Sequence, residues 1–167
     1  VYGRPLTLRL CERRLDKLGI SSRLRDLRDL RENQPVFFGW GSDAPSSPDD
    51  ELPIAQEVDG EGAVIKVTPL AVPHSIPESC ALLIESLGQD GRRVLHTGDF
   101  KLDEMGEFAF AELARQSVDA VVGDSTNAQV AGKTPSERTA TEALTALLSD
   151  STRRGRIVVA LFSSHLE

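Results

Sequence analysis

The sequence predicts an α/β fold built on a mixed sheet. Apolar, β-branched runs of strand length recur at 63–72, 80–87, 92–97, 119–122 and 156–162. Helical periodicity fills the intervals 107–116 and 135–148 between the last three runs. The segment Gly88-Gln-Asp-Gly91 has the composition of a hairpin turn between two of them.

Each element has a local reason. Near the start, Leu8, Cys11, Leu15 and Leu18 recur at spacings of three, four and three, so 5–18 reads as an amphipathic helix stopped by Gly19. Leu24, Leu27 and Leu30 repeat every three residues and predict one or two further helical turns over Arg23–Arg31. Pro35-Val-Phe-Phe-Gly-Trp40 reads as a short strand. Gly41–Pro53 is rich in Ser, Asp and Pro, which is loop chemistry, and a solvated acidic loop accounts for it. In the helix over 135–148, Ala140, Ala143, Leu144, Leu147 and Leu148 form one apolar stripe. Thr134-Pro-Ser-Glu137 opens that helix as a capping box with proline at the first helical position.

Composition bounds the function. The 167 residues are 40% hydrophobic and 27% charged, enough for a core and a soluble surface. No apolar stretch approaches the roughly 18 to 20 residues of a transmembrane helix. Cys11 and Cys80 are isolated, which speaks against a disulfide scaffold and a C-x-x-C metal site, and makes the cytoplasm the expected compartment. Residues 1–34 carry nine bases and five acids, and 35–62 carry seven acids and no base; the whole chain nets −7. That balance argues against non-specific nucleic-acid binding by the whole surface, but it is compatible with a local basic patch beside an acidic metal site. The single methionine is Met105 and the chain opens on Val1, so an internal piece of a longer protein is expected.

Four apolar runs end in polar clusters: Val72-Pro-His74-Ser75, Leu95-His96-Thr97-Gly98-Asp99, Val122-Gly-Asp124-Ser125-Thr126-Asn127 and Phe162-Ser-Ser-His165. Ligands of α/β proteins bind at the carboxyl ends of strands. All three histidines of the chain fall in these clusters. Imidazole and carboxylate on loops above a rigid sheet are the donors a divalent metal needs, and glycine before Asp99 and Asp124 lets the backbone turn sharply. Each motif alone has a bland explanation: a histidine satisfied in a turn, or an aspartate capping its own loop. Four together point to a site without naming its reaction.

The blocks Pro73-His74-Ser-Ile-Pro-Glu-Ser79, His96-Thr-Gly-Asp-Phe-Lys-Leu-Asp103, Gly123-Asp-Ser-Thr-Asn-Ala128 and Thr134-Pro-Ser-Glu137 resemble ribonuclease J in content, order and spacing. The resemblance extends from Val1 to the last residue. It implies the metallo-β-lactamase superfamily, in the branch that processes nucleic acids and carries an inserted β-CASP domain. The expected fold is part of a metallo-β-lactamase αββα sandwich over residues 1–132, leading into the start of a β-CASP domain at 133–167. The expected activity of the parent is zinc-dependent hydrolysis of RNA phosphodiesters, as endonuclease and as 5′-to-3′ exonuclease, in a cytoplasmic homo-oligomer.

Position by position, the resemblance makes His74 a ligand of one zinc ion and Asp99 the carboxylate bridging two. It makes Asp124 an acid that orients a later histidine near the scissile phosphate, and Ser125 a contact to substrate phosphate. It assigns His96 to support or packing and not to ligation. Ser163, Ser164 and His165 stand where the β-CASP portion begins, in structural or RNA-contacting roles. The superfamily's His-x-His-x-Asp-His signature is absent from the 167 residues, as are the later β-CASP histidines. Two protein ligands cannot hold two zinc ions against water, so the piece alone is expected to be inactive. Two alternatives stay open. One is another enzyme of the same fold, a DNA-directed β-CASP nuclease or a small-ester hydrolase, the latter disfavoured by Asp124-Ser-Thr and Thr-Pro-Ser-Glu. The other is a catalytically silent paralogue serving in assembly or RNA binding.

Overall fold

A computed structural model of the chain describes residues 2–20, 27–40, 56–101, 115, 117–126, 128–150, 152 and 154–161. The expected loop Gly41–Pro53, nearly all of the helix expected at 107–116, and Ser163–His165 lie outside them.

Strand β1 (Tyr2–Gly3) leads directly into helix α1 (Pro5–Lys17). Pro5 suits the helix start because its missing N–H would be unpaired there anyway. Leu8 is buried, Cys11 and Leu15 are half-buried, and Leu18 is exposed, so the apolar stripe fades toward the carboxyl end. Gly19 adopts φ +69 and donates its N–H to the Asp16 carbonyl, closing the helix as its position predicts.

The helical turns expected over Arg23–Arg31 do not extend through Arg28–Asp29, which form strand β2 and pair in parallel with β1. Pairing overrides the leucine spacing here: Leu30 donates its N–H to the Gly3 carbonyl at 2.9 Å and is itself buried. The small β1–β2 ribbon is tied to the main sheet by Tyr2, whose ring meets Phe38 edge-on at 5.1 Å and whose hydroxyl donates to Glu57.

The main sheet has six strands in the order β4-β3-β5-β6-β7-β8, namely Gln56–Glu57, Val36–Gly39, Ala63–Ala71, Cys80–Ser86, Arg93–His96 and Ala120–Val122. All neighbours are antiparallel except β7 and β8, which run parallel. The sheet is therefore mixed, as the element pattern predicts. Opposed residues share a face, and Lys66, Glu85 and Arg93 form one charged row across β5, β6 and β7, with Glu85 gripped at 2.7 Å and 3.2 Å. The next rows on that face carry Leu83 and Leu95, then Ala81, and a core of Val72, Ala81 and Leu95 lies against the strand ends, with Leu70, Phe100 and Val118 packed around it. The 88–91 turn closes β6 onto β7, with the Gly91 N–H donating to the Gly88 carbonyl. At Gly39 the register of β3 against β5 slips, and a Cβ there would collide with the Gly62 carbonyl.

Helix α2 (Glu137–Ser149) starts later than the capping box implies. Ser136, extended at φ −67 and ψ 154, is the cap, and its Oγ accepts the Thr139 N–H at 3.2 Å. Thr134 and Pro135 thus precede the helix, because the hydroxyl two residues on reaches the free N–H groups of the first turn. The stripe Leu144, Leu147 and Leu148 is exposed. Arg156–Leu161 adopts no strand, and Val158 is 88% exposed. Apolar composition favours an extended run, but a strand also needs a neighbour to receive its N–H and C=O groups, and none of the described strands lies beside it.

Candidate active site

The sheet order decides which ends of strands share a rim. β5 and β7 run in one direction with antiparallel β6 between them, and β8 runs parallel to β7. The carboxyl ends of β5, β7 and β8 therefore face the same way. The segments that follow them carry His74, Asp99 and Asp124 respectively, so the three sequence clusters reach one rim, as strand-end reasoning predicts. The fourth, Phe162-Ser-Ser-His165, is outside the described residues, and with it Ser164 and His165.

Backbone hydrogen bonds stitch the three clusters together. The Lys101 N–H, two residues beyond Asp99, donates to the carbonyl of Pro73 at 2.8 Å, which fixes the Asp99 loop against the residue before His74. Thr97 joins the other two. Its N–H donates to the Val122 carbonyl at 3.0 Å, its hydroxyl donates to the Gly98 carbonyl at 2.8 Å, and the same hydroxyl accepts the Asp124 N–H at 3.1 Å. Thr97 is buried while the aspartates it connects are exposed. Sequence reasoning passed over it, although a hydroxyl residue between an apolar strand and Gly-Asp is the available signal for such a clasp.

The turn before Asp99 has its own lock. Gly98 sits at φ +60, and a Cβ there would stand 3.0 Å from the Cys80 carbonyl oxygen. Its N–H donates to Nδ1 of His96 at 3.1 Å. That bond fixes His96 as the tautomer with Nδ1 unprotonated and makes it a support of the turn. Beside it, burial pushes the Cys80 thiol up in pKa, with Arg4 partly offsetting the effect.

The acids differ in their surroundings. Oδ1 of Asp124 accepts both the N–H and the hydroxyl of Thr126, at 2.8 Å and 2.6 Å. These bonds, the hydroxyl first, hold its carboxyl below the usual carboxylate range, and the nearby charge of His74 acts in the same direction. Asp99 is exposed, and its carboxylate has no hydrogen-bond or ion-pair partner among the described residues. In the His74 loop, Ser75 Oγ lies 3.2 Å from Nδ1 of His74, which leaves Nε2 as the ring's other donor atom. Among the described residues no group of three or more His, Cys, Asp and Glu side chains gathers to hold a metal. Asp99 and His74 offer one free carboxylate and one imidazole nitrogen, which suits part of a zinc centre and falls short of the four ligands of a closed one.

Asp124 and Ser125 also line an open cavity of about 1010 Å³ that continues along Phe100 and Lys101 to the start of α2. Its far wall is held by an ion pair of 3.0 Å between Lys101 and Glu137.

Comparison with known proteins finds similarity to ribonuclease J. Ribonuclease J of Sinorhizobium meliloti is 38% identical over 129 residues, covering 70% of this chain. Ribonuclease J of Thermus thermophilus is 27% identical over 174 residues and ribonuclease J2 of Bacillus subtilis 28% over 176, each covering 99% of the chain. The chain is homologous to ribonuclease J. It spans between 22% and 26% of the length of these three relatives. No protein-family model matches it. Among the described residues no helix is long and apolar enough to cross a membrane.

Proposed function

We propose that this chain belongs to a cytoplasmic, zinc-dependent ribonuclease that hydrolyses RNA phosphodiesters, acting from the 5′ end and internally. Residues 1–132 are the later part of its metallo-β-lactamase domain, and 133–167 begin the β-CASP domain. The observation that carries this proposal is the stitching of the His74, Asp99 and Asp124 loops on one rim, in a chain homologous to ribonuclease J.

His74, through Nε2, and Asp99 would hold zinc together with ligands from elsewhere in the whole protein. When bound, a pair of zinc ions supplies Lewis acidity and an activated water at neutral pH. The chain's own residues position the rest. Asp124, ionised because Thr126 donates to it twice, is suited to orient a protonated imidazole toward the leaving oxygen. Ser125, beside it on the cavity wall, can donate its hydroxyl to a phosphate oxygen. Ser164 and His165 are assigned to RNA contact in the same protein.

The test is hydrolysis of an end-labelled, 5′-monophosphorylated RNA by the full-length protein, with zinc and with a chelator. Zinc-dependent cleavage is expected. An intact RNA under both conditions, with binding retained, would replace this assignment by a catalytically silent RNA-binding or assembly subunit.

A further inference from the structure

The loop that carries His74 is held on both of its arms. At its base the Val72 N–H donates to the Ser79 carbonyl at 3.0 Å, and the Ser79 hydroxyl donates to the Ile76 carbonyl at 2.7 Å. On the arm before His74, the Pro73 carbonyl accepts the Lys101 N–H. On the arm after it stands Glu78, at φ +67. Asn33 is the other non-glycine residue with positive φ among the described residues. Asparagine enters that region readily and glutamate does not, so Glu78 needs its surroundings to hold it there. The side chain that reaches it is Arg4, just before α1. Arg4 is only 16% exposed at its side chain; one terminal nitrogen donates to the Leu30 carbonyl and the other lies 3.8 Å from Oε1 of Glu78. A single planar fork thus joins the β1–β2 ribbon to the His74 loop, and the proposed hydrolysis gives neither residue a part.

We propose that Arg4 and Glu78 are positioning residues for His74: their ion pair fixes the later arm of the loop, so that the imidazole is already placed on the rim before zinc arrives. The inference rests on the assignment of His74 to zinc. A ligand held in place loses little freedom on binding, whereas one on a loose loop must be ordered by the metal, and affinity falls by that cost. Arginine suits the task because its fork meets two acceptors at once, which a lysine ammonium does less well. The positive φ adds a sign. Glycine at position 78 relieves the backbone and removes the carboxylate, so stability and zinc affinity should move apart.

The experiment is the zinc affinity of the full-length protein, read by competition with a chromophoric chelator, beside a thermal melt of the metal-free protein. His74→Ala is the reference for loss of the ligand itself. Glu78→Gln is expected to weaken zinc binding several-fold. Glu78→Gly is expected to weaken it as much while the melting temperature holds or rises. Arg4→Ala should match Glu78→Gln, and the double variant should lose no more than either single one, the signature of one shared interaction. Wild-type affinity in both Glu78 variants, a fully additive loss in the double variant, or a fall in the melting temperature of Glu78→Gly that accompanies its lost affinity overturns the positioning role. Glu78 is exposed, so its variants decide the question even where Arg4→Ala fails to fold. Zinc affinity lost in His74→Ala and kept in the Glu78 variants removes this inference alone, whereas affinity unchanged in His74→Ala removes the metal assignment and this inference with it.

Discussion

Thr97 holds the site together although no chemistry passes through it. Its buried hydroxyl is saturated, donating to Gly98 and accepting from Asp124. Thr97→Val keeps the shape and strands both partners, so a loss of about 1–3 kcal/mol of stability is expected, with faster amide exchange at Asp124 in the full-length protein. Asp124 allows a pH prediction. Its folded pKa is lowered, chiefly by the Thr126 hydroxyl, so any stability it contributes is present above the unfolded value near about 4 and is lost as pH falls through the folded one. A carboxyl titration by NMR should place its midpoint below that of a free aspartate, and Thr126→Val should move it back up. At this scale the sequence was legible where residue type announced chemistry: His74, Asp99 and Asp124 stand out as polar residues after apolar strands. Thr97 did not, since its importance comes from which backbone groups the fold brings to it.

The elements aim the site by turn geometry. Gly98 reverses the chain at φ +60 directly under the Cys80 carbonyl, and it is this reversal that presents Asp99 at the rim. Gly98→Ala combines an unfavourable φ with that close approach, and should cost at least about 1 kcal/mol while lowering zinc affinity in the full-length protein. Metal titration followed by denaturant unfolding measures both. The strands from 63 to 97 and the first helix were legible because their apolar periodicity is strong and their partners are neighbours in sequence. The leucine spacing predicts helix at Arg28–Asp29 because their parallel pairing with Tyr2–Gly3 lies across the whole of α1, where spacing has no information. Arg156–Leu161 failed for the complementary reason: its composition suits a strand, but composition does not supply a partner. α2 starts two residues later than the sequence implies because two hydroxyls, Thr134 and Ser136, can each serve as cap, and Ser136 is the one that accepts an N–H, that of Thr139.

Among the described residues, the buried side chains fall between Leu8 and Thr97, and from β8 onward the large apolar side chains are exposed: Val121, Val122, Leu144, Leu147, Leu148 and Val158 among them. The site lies at the boundary between these regions, with His74 and Asp99 rooted in the well-packed strands and Asp124, Ser125 and the cavity on the exposed side. The central proposal, that this rim contributes part of a metal centre for RNA hydrolysis, is tested most directly by zinc content measured alongside RNA cleavage in the full-length protein. Asp99→Ala should abolish cleavage while RNA binding survives, His74→Ala should lose zinc and turnover together, and Asp124→Ala should retain zinc and lose rate. Full cleavage by Asp99→Ala, with wild-type zinc content, would contradict the account.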